Sequence, residues 1–97
     1  MANLADPIRI GERIKLKNRL VNAPMYRCFG IEDGCVRQDY VDSYAAEARG
    51  GPAMIIVANT AVSPSGIAFR RLPRIDEDRF VPGLGDLAYA IHLADCK

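Results

Sequence analysis

Short stretches in which apolar and polar side chains alternate open the chain. Residues 7–10 and 13–16 each alternate in this way, and a two-residue link that contains glycine separates them. Period-two alternation around such a link predicts a β-hairpin over residues 7–16. The next apolar stretch, residues 20–25, predicts a compact strand that ends at Pro24, because proline cannot donate a hydrogen bond to an inner ladder.

From residue 26 onward the pattern predicts a loop followed by a helix. Residues 26–37 show no periodicity and are interpreted as a loop. Apolar side chains then recur with the spacing of one helical face: Tyr40, Val41, Tyr44, Ala45 and Ala48. Asp39 is expected to cap the N-terminus of this helix, and Gly50-Gly51 is expected to end it.

A second strand and a second helix follow. Residues 53–58 are apolar without alternation, which is typical of a strand buried on both faces of a parallel sheet. Residues 61–79 are interpreted as a loop with a turn at 63–66, and Pro82 suits the first position of a helix. An apolar stripe with helical spacing comes next: Leu84, Leu87, Ala88 and Ile91.

Strands that alternate with helices predict an α/β fold built from βαβ units around a parallel sheet. Two parallel strands are too few, because the strand at 53–58 would remain as an apolar edge. A barrel of eight such units takes about 250 residues, so a chain of 97 residues corresponds to its first two units. We therefore expect the N-terminal portion of a TIM (β/α)8 barrel, with a hairpin at 7–16, a first βα unit at 19–50 and a second at 53–96.

Charge and cysteine content narrow the function classes. Thirteen Lys and Arg residues against twelve Asp and Glu give a net charge of +1, which argues against nucleic-acid binding and against a membrane-surface role. The longest apolar run is far too short to cross a bilayer, and the first residues have no signal-peptide pattern. Three cysteines without CxxC spacing and a single histidine predict no disulfide framework and no metal site. A reduced, cytoplasmic chain is expected.

Three weaker features leave alternatives open. Residues 83–88 match the GxGxxA dinucleotide fingerprint, but that fingerprint requires a preceding strand, so they are interpreted as a helix start. His92 is interpreted as a surface or packing residue rather than a base. Arg70 and Arg71 either belong to a solvated charged loop or meet an anionic substrate tail or a neighbouring subunit.

The most informative motif is Lys-Asn-Arg-Leu-Val-Asn-Ala-Pro-Met at residues 17–25. It resembles the first barrel strand of the old yellow enzyme family of FMN-dependent NADH:flavin oxidoreductases. Residues 6–11 resemble the hairpin that closes the bottom of that barrel, and residues 44–51 resemble the end of its first helix. Residues 54–57 and 60–66 resemble its second strand with the following loop, and residues 75–84 and 90–92 resemble its second helix. The branch with dienoyl-CoA and enoate reductases is the most similar.

This resemblance implies a cofactor, a reaction and a set of contact residues. FMN would be reduced by NAD(P)H and would pass a hydride to an activated C=C bond of a small molecule, an α,β-unsaturated carbonyl compound or an enoyl or dienoyl thioester. The matching positions place the flavin against five residues: Ala23, Pro24, Met25, Tyr26 and Asn59. Cys28 matches a position where some members place a substrate-facing tyrosine; otherwise it is a packing residue or a redox-sensitive thiol.

The chain also departs from the family's pattern. Tyr26 stands where members often carry Thr, Cys or His, so a covalent cysteinyl flavin at that position is excluded. Ala58-Asn59 replaces the usual Glu followed by Ala or Gly, and Asn59 either crowds the flavin or adds a hydrogen bond. The family's carbonyl-polarising pair, proton-donating tyrosine and phosphate-binding loops lie on later strands. We therefore expect no catalytic residue in this chain, which should be inactive without the remainder of the barrel.

Two other interpretations stay open. A chain of this length could be a truncated structural or interaction module that binds a partner through its exposed strand edge. A different TIM-barrel enzyme, such as an aldolase or a lyase, would share only the βα rhythm, and the Ala-Pro-Met ending of the first strand argues against it. Assembly into a homo-oligomer is compatible with each interpretation.

Overall fold

In the computed structural model, which describes residues 2–97, three two-stranded sheets accompany two α-helices. The strands and helices are, in chain order, β1 (Ile8–Ile10), β2 (Ile14–Leu16), β3 (Val21–Asn22), β4 (Ile31–Glu32), β5 (Cys35–Val36), α1 (Gln38–Arg49), β6 (Met54–Ile55) and α2 (Val81–His92). Short 3₁₀ turns lie at Pro64–Gly66 and Asp78–Phe80. The parallel strands and the helices alternate along the chain, as in an α/β fold.

β1 and β2 form the antiparallel hairpin that the alternation predicts. Ile8 lies opposite Leu16, and Ile10 lies opposite Ile14. Leu16 is buried, whereas Ile10 and Ile14 are exposed. The hairpin therefore packs on the rest of the chain through its Leu16 end and not along its whole apolar edge.

β3 and β6 pair in parallel, with Asn22 opposite Ile55, and α1 connects them. The pairing continues on the other side of β6. Lys97 donates its N–H to the carbonyl of Ala53 and accepts from the N–H of Ile55, both at 2.8 Å. These two bonds have the pattern of a parallel ladder, so Lys97 lies where a residue of a third parallel strand would lie.

The segment 26–37, predicted as a loop, contains a second hairpin made by β4 and β5. Asp33 and Gly34 connect its strands, and both have positive φ values, +50° and +81°, as the central residues of a type I′ turn do. The prediction was wrong because each strand has two residues, too few for an alternation to register. The Asp-Gly pair was the available signal for this hairpin.

α1 begins earlier than the sequence predicts. Its N-cap is Arg37, whose carbonyl accepts the N–H of Tyr40 at 3.1 Å. The expected cap, Asp39, lies inside the first turn, where its carboxylate accepts from the N–H of Tyr40 and is stabilised by the positive end of the helix dipole. The helix ends at Arg49, immediately before Gly50, as predicted.

The core lies between the two helices and the parallel strands. Its buried side chains are Ile31, Tyr40, Val41, Tyr44, Ala48, Ile55, Leu87, Ile91 and Cys96. Two details of α2 differ from the prediction. Ala88 of the apolar stripe is exposed, and Pro82 is the second helical residue because α2 begins at Val81.

The apolar stretch 53–58 is only partly buried. Ala53, Ile55 and Ala58 are buried, whereas Ile56 is 48% exposed. The expectation of a strand buried on both faces is therefore wrong for Ile56, because no layer of the described chain covers its side. An uncovered apolar position on a parallel strand is a place where further structure packs.

Arg74 ties the loop before α2 to the β4–β5 turn. Its N–H donates to the carbonyl of Gly34 at 3.0 Å, and its guanidinium donates two hydrogen bonds to Asp76, at 2.7 and 3.0 Å. The guanidinium groups of Arg74 and Arg79 both lie over the ring of Phe80, which is buried. This arrangement fixes the loop at the point where it turns into α2.

Asp76→Asn is expected to remove an acid-sensitive part of the stability. The hydrogen bonds from Arg74 hold the pKa of Asp76 below its ordinary value. The stabilisation is therefore complete above about pH 4 and is lost as the pH falls through the lowered pKa. The variant should be less stable than the wild type at neutral pH, and this difference should close in acid. Urea denaturation at a series of pH values measures it.

Asp86→Asn is the matched control for this experiment. Asp86 is exposed on α2 and forms no ion pair within residues 2–97. Its replacement should leave stability nearly unchanged at every pH. A deficit of the Asp76→Asn variant that stayed constant down to acid pH would contradict the role of the Arg74–Asp76 pair.

Candidate functional site

The carboxyl ends of β3 and β6 lie at the same edge of the parallel pair. Asn22 and Ile55 are paired, and Tyr26 and Asn59 follow them by four positions each. The segments beyond the two strands therefore leave the sheet at the same level along the strand direction. Ligands of α/β proteins with parallel sheets bind at this edge. The residues that the sequence predicts to touch a flavin thus share one end of the fold.

The segment 23–26 presents backbone donors that lack an acceptor. All four of its residues are exposed, and Met25 is 74% exposed. Across the described chain, no group accepts a hydrogen bond from the N–H of Ala23, Met25 or Tyr26. A row of unpaired amides at a strand end is suited to a ligand edge that is rich in acceptors.

Asn59 lies outside the core. Its side chain is exposed and has no hydrogen-bond partner among residues 2–97. The residue before it, Ala58, is buried, and Thr60 donates its hydroxyl to the carbonyl of Ala58 at 3.0 Å. The bulk of Asn59 therefore displaces nothing in the described fold, and its amide is available to a ligand.

The loop before α2 folds against the loop after β3. The rings of Tyr26 and Phe69 lie 4.9 Å apart between centroids, at an interplanar angle of 36°. Arg71 donates from Nη1 to the carbonyl of Cys28 at 2.9 Å. Sequence reasoning missed both contacts because they join residues more than forty positions apart, for which no motif or period gives a signal.

A polar cavity of about 360 Å³ lies between the β4–β5 turn and the loop before α2. Arg70, Arg74 and Arg79 line it, but Arg74 pairs with Asp76 and Glu77, and Arg79 also pairs with Glu77. Most of the positive charge of this cavity is therefore balanced within the loop. That Arg70 meets an anionic substrate tail stays a prediction.

Arg27 of the loop after β3 and Tyr44 of α1 contact each other beside the strand ends. The guanidinium carbon of Arg27 lies 3.7 Å from the ring centroid of Tyr44, and the hydroxyl of Tyr44 accepts the N–H of Ala58 at 2.9 Å. The neighbouring Tyr40 lies in the same helix, and burial raises the pKa of its hydroxyl well above the ordinary value, so that hydroxyl stays neutral. The sequence indicated Tyr44 as a core residue and gave no signal for Arg27.

The three cysteines are free and differ in exposure. Cys28 is exposed, Cys35 is half-buried and Cys96 is buried. Burial raises the pKa of the Cys96 thiol, which makes it less reactive. Cys28 lies two residues after Tyr26, beside the segment of free amides, and its contact with a substrate stays a prediction.

The remaining sequence features contribute no site. His92 is exposed and ends α2, and residues 83–88 lie inside α2, which follows a 3₁₀ turn instead of a strand. That placement does not match the dinucleotide fingerprint. Within residues 2–97, no three metal-binding side chains come together. No α-helix of the described chain combines the length and the apolar character needed to cross a membrane.

A parallel α/β edge with unpaired amides is the kind of edge at which α/β proteins bind ligands. The model of the NADH:flavin oxidoreductase / NADH oxidase family matches residues 3–97. The chain belongs to that family. The cofactor of the family is FMN, and its reductant is NAD(P)H.

Individual relatives agree with this assignment. The chain is 40% identical over 96 residues to an NADH oxidase of Thermoanaerobacter brockii, a match that covers 98% of this chain and 15% of the relative. It is 42% identical over 97 residues to an NADH:acrylate oxidoreductase of Vibrio harveyi, covering 100% of this chain and 10% of the relative. The old yellow enzyme homologue of Zymomonas mobilis superposes with a TM-score of 0.87 at 29% identity, over 98% of this chain and 26% of that one.

These matches identify the fold class and show what share of each relative the chain covers. The chain shares the α/β fold of the old yellow enzymes over nearly its whole length. It spans about a quarter or less of the length of each of these relatives.

The donors at the strand end match, in their chemistry, the acceptors on one edge of a flavin ring. The O4/N5 edge of isoalloxazine carries hydrogen-bond acceptors, and the free N–H groups of Ala23, Met25 and Tyr26 are donors. Ala23 adds no bulk that would keep a planar ring away, and Pro24 restricts the backbone between the donors. The donor chemistry of the segment therefore suits FMN.

Proposed function

We propose that residues 1–97 are the N-terminal portion of an FMN-dependent NAD(P)H:flavin oxidoreductase that reduces activated C=C bonds. In this proposal the hairpin at 7–16 closes the bottom of a TIM (β/α)8 barrel, and residues 19–50 and 53–96 are its first two βα units. The substrates are α,β-unsaturated carbonyl compounds or enoyl and dienoyl thioesters. A cytoplasmic location accords with three free cysteines.

The observation that carries the proposal is the row of unpaired N–H groups after β3, in a chain that the family model matches from residue 3 to residue 97. Two features support the continuation into a barrel. The parallel hydrogen bonds of Lys97 extend the sheet past β6. An apolar cavity of about 280 Å³, lined by Val57, Val62 and Leu84 among others, offers a surface on which a further βα unit would pack.

The residues of this chain bind and orient the cofactor. When bound, FMN supplies hydride transfer from NAD(P)H to the β-carbon of the acceptor. The N–H groups of Ala23, Met25 and Tyr26 would donate to acceptor atoms of the ring and would stabilise negative charge on it. Pro24 keeps those donors in one conformation, and the amide of Asn59 adds a donor from the second strand. Groups that polarise the substrate or move its proton belong to the remainder of the barrel.

The names of two relatives suggest substrates with which to begin. They are an NADH:acrylate oxidoreductase and an NADH:fumarate oxidoreductase. Acrylate and fumarate are α,β-unsaturated carboxylates, which are activated C=C compounds. NADH consumption that depends on one of them would place this protein in the same reaction class.

The test uses the complete native polypeptide that carries this sequence. Its intact mass should be several times that of a 97-residue chain, it should be yellow with FMN, and acrylate or fumarate should accelerate its oxidation of NADH. The isolated 97-residue chain is the control and should show no turnover. A complete protein that is purified without flavin and does not take up FMN would overturn the proposal.

The same measurements separate the alternative functions. A native chain of 97 residues that is monodisperse and unfolds cooperatively would favour a structural or interaction module. A flavin-free complete protein with aldolase or lyase activity would be a different TIM-barrel enzyme. Light scattering of the native protein would show whether it forms a homo-oligomer.

A further inference from the structure

One side chain of α1 contacts both strand ends of the candidate site. Tyr44 is 1% exposed. Its ring faces the guanidinium of Arg27 at 3.7 Å, and its hydroxyl accepts the N–H of Ala58 at 2.9 Å. Arg27 directly follows Tyr26, and Ala58 directly precedes Asn59. The two segments that would face FMN are therefore attached to the same aromatic residue.

Arg27 is held in place from several sides. Its Nη1 donates to the hydroxyl oxygen of Ser43 at 2.9 Å, and its Nη2 donates to Glu47 at 2.5 Å. Ser43 in turn donates its hydroxyl to the carbonyl of Tyr40 at 2.7 Å. A guanidinium that lies on an aromatic face and pairs with a carboxylate has one preferred position. The chain just after Tyr26 is thereby fixed relative to α1.

The hydrogen bond to Ala58 fixes the second strand end in the same way. Ala58 is buried and lies beyond the last paired residue of β6, so the sheet provides no acceptor for its N–H. The hydroxyl of Tyr44 takes the place of a neighbouring strand. Without that hydroxyl, the buried N–H would be unpaired, and the segment would shift to reach another acceptor.

We propose that Tyr44 is a positioning residue for the flavin site. It sets the spacing between the segment 23–26 and Asn59, and hence the alignment of the donors that face the ring edge. This inference rests on the proposed function, because it requires that FMN binds at these strand ends. It adds a residue that lies behind the site and does not itself touch the cofactor.

Tyr44→Phe in the complete FMN-loaded protein is the primary test. The phenyl ring preserves the stacking with Arg27, while the acceptor for the Ala58 N–H is lost. We expect about tenfold weaker FMN binding, as for one disrupted hydrogen bond, together with a shifted visible absorption band and an altered reduction potential of the bound flavin. The last two readouts report on the environment of the ring and would not change if Tyr44 only stabilised the fold.

Tyr40→Phe is the matched control. Tyr40 lies one turn earlier in α1 and is as buried as Tyr44, and its hydroxyl has no partner among the described residues. Its replacement removes the same atom from the same helix but keeps the ring that packs against Tyr44, and the lost hydroxyl hydrogen-bonds to neither strand end. FMN affinity, spectrum and potential should stay as in the wild type.

Arg27→Met provides a second, independent variant. Methionine keeps an unbranched side chain but loses the guanidinium that lies over the Tyr44 ring, together with its bonds to Ser43 and Glu47. It should alter the same three readouts through the first strand end. If Tyr44→Phe does not fold, Arg27→Met alone tests the positioning role.

The outcomes separate this inference from the proposed function. A wild-type protein that holds no FMN overturns the proposed function. A wild type that binds FMN, with Tyr44→Phe and Arg27→Met both behaving like Tyr40→Phe, overturns the positioning role and leaves the proposed function intact. A change of spectrum and potential in either variant, but not in the control, supports it.

Discussion

Gly30→Ala is expected to destabilise the folded protein by about 2–5 kcal/mol, the sum of two separate costs. Gly30 has a φ of +78°, where a residue with a Cβ pays about 1–2 kcal/mol. A Cβ at this position would also lie 2.6 Å from Cβ and 2.8 Å from the backbone N of Tyr40. Such overpacking costs about 1–3 kcal/mol. Tyr40 has little room to move, because it is buried and belongs to the first turn of α1.

Two other glycines separate these costs. Gly11 has a φ of +65°, and a Cβ there would meet nothing within 4 Å, so Gly11→Ala should show the backbone cost alone, about 1–2 kcal/mol. Gly85 lies within α2 and also has open space around it, so Gly85→Ala should stabilise the helix by about 0.5–1 kcal/mol. Urea denaturation followed by circular dichroism measures all three. Equal midpoints for Gly30→Ala and Gly11→Ala would contradict the steric argument.

Leu87→Ala should have a comparably large effect, about 2–5 kcal/mol, because it leaves a cavity in the core. Leu87 is 3% exposed and belongs to the cluster in which α2 packs against α1. Both the transfer free energy of the removed carbon atoms and the residual cavity contribute to the loss. The helix itself should persist, since alanine is the best helix former. Thermal and urea denaturation should therefore show a lower stability with an unchanged native circular dichroism spectrum.

Leu93→Ala is the control of identical chemistry. Leu93 is 70% exposed, six residues further along the chain, so its truncation should change stability by about 0.5 kcal/mol or less. The contrast between the two leucines tests the assignment of the buried face of α2. If Leu93→Ala were as damaging as Leu87→Ala, that face would be wrongly assigned or covered by structure beyond this segment.

The helices were the most predictable part of the fold. The spacing of Tyr40, Tyr44 and Ala48 identified the buried face of α1, and Leu87 and Ile91 did so for α2. A helix of twelve residues repeats its period often enough for the pattern to stand out from chance. The N-cap was less predictable, because Arg37 caps α1 with its backbone alone and no side-chain type indicates that.

The shortest strands could not be found from periodicity. β4 and β5 have two residues each, and they exist because the Asp33-Gly34 turn reverses the chain, not because their side chains alternate. The partial exposure of Ile56 could not be predicted from the sequence either. An apolar run shows that a strand prefers burial but does not show which of its faces this length of chain covers.

The candidate site likewise has a part that the sequence predicted and a part that it did not. Its first strand was recognisable from a contiguous motif, residues 17–25, and its cofactor class followed from the family. The support behind it was not recognisable. The contacts of Tyr44 with Arg27 and Ala58, and of Tyr26 with Phe69, join separate elements in space, and a single sequence contains no record of such distances.

Cys28 gives this segment a built-in point of attachment for a label. The thiolate is the form that reacts with alkylating reagents, and of the three thiols here only Cys28 is exposed while Cys96 has a raised pKa. A fluorophore on Cys28 would stand where Arg71 of the loop before α2 holds the loop after β3. Its emission would thus report on the contact between the two loops, with no engineered cysteine in this part of the protein.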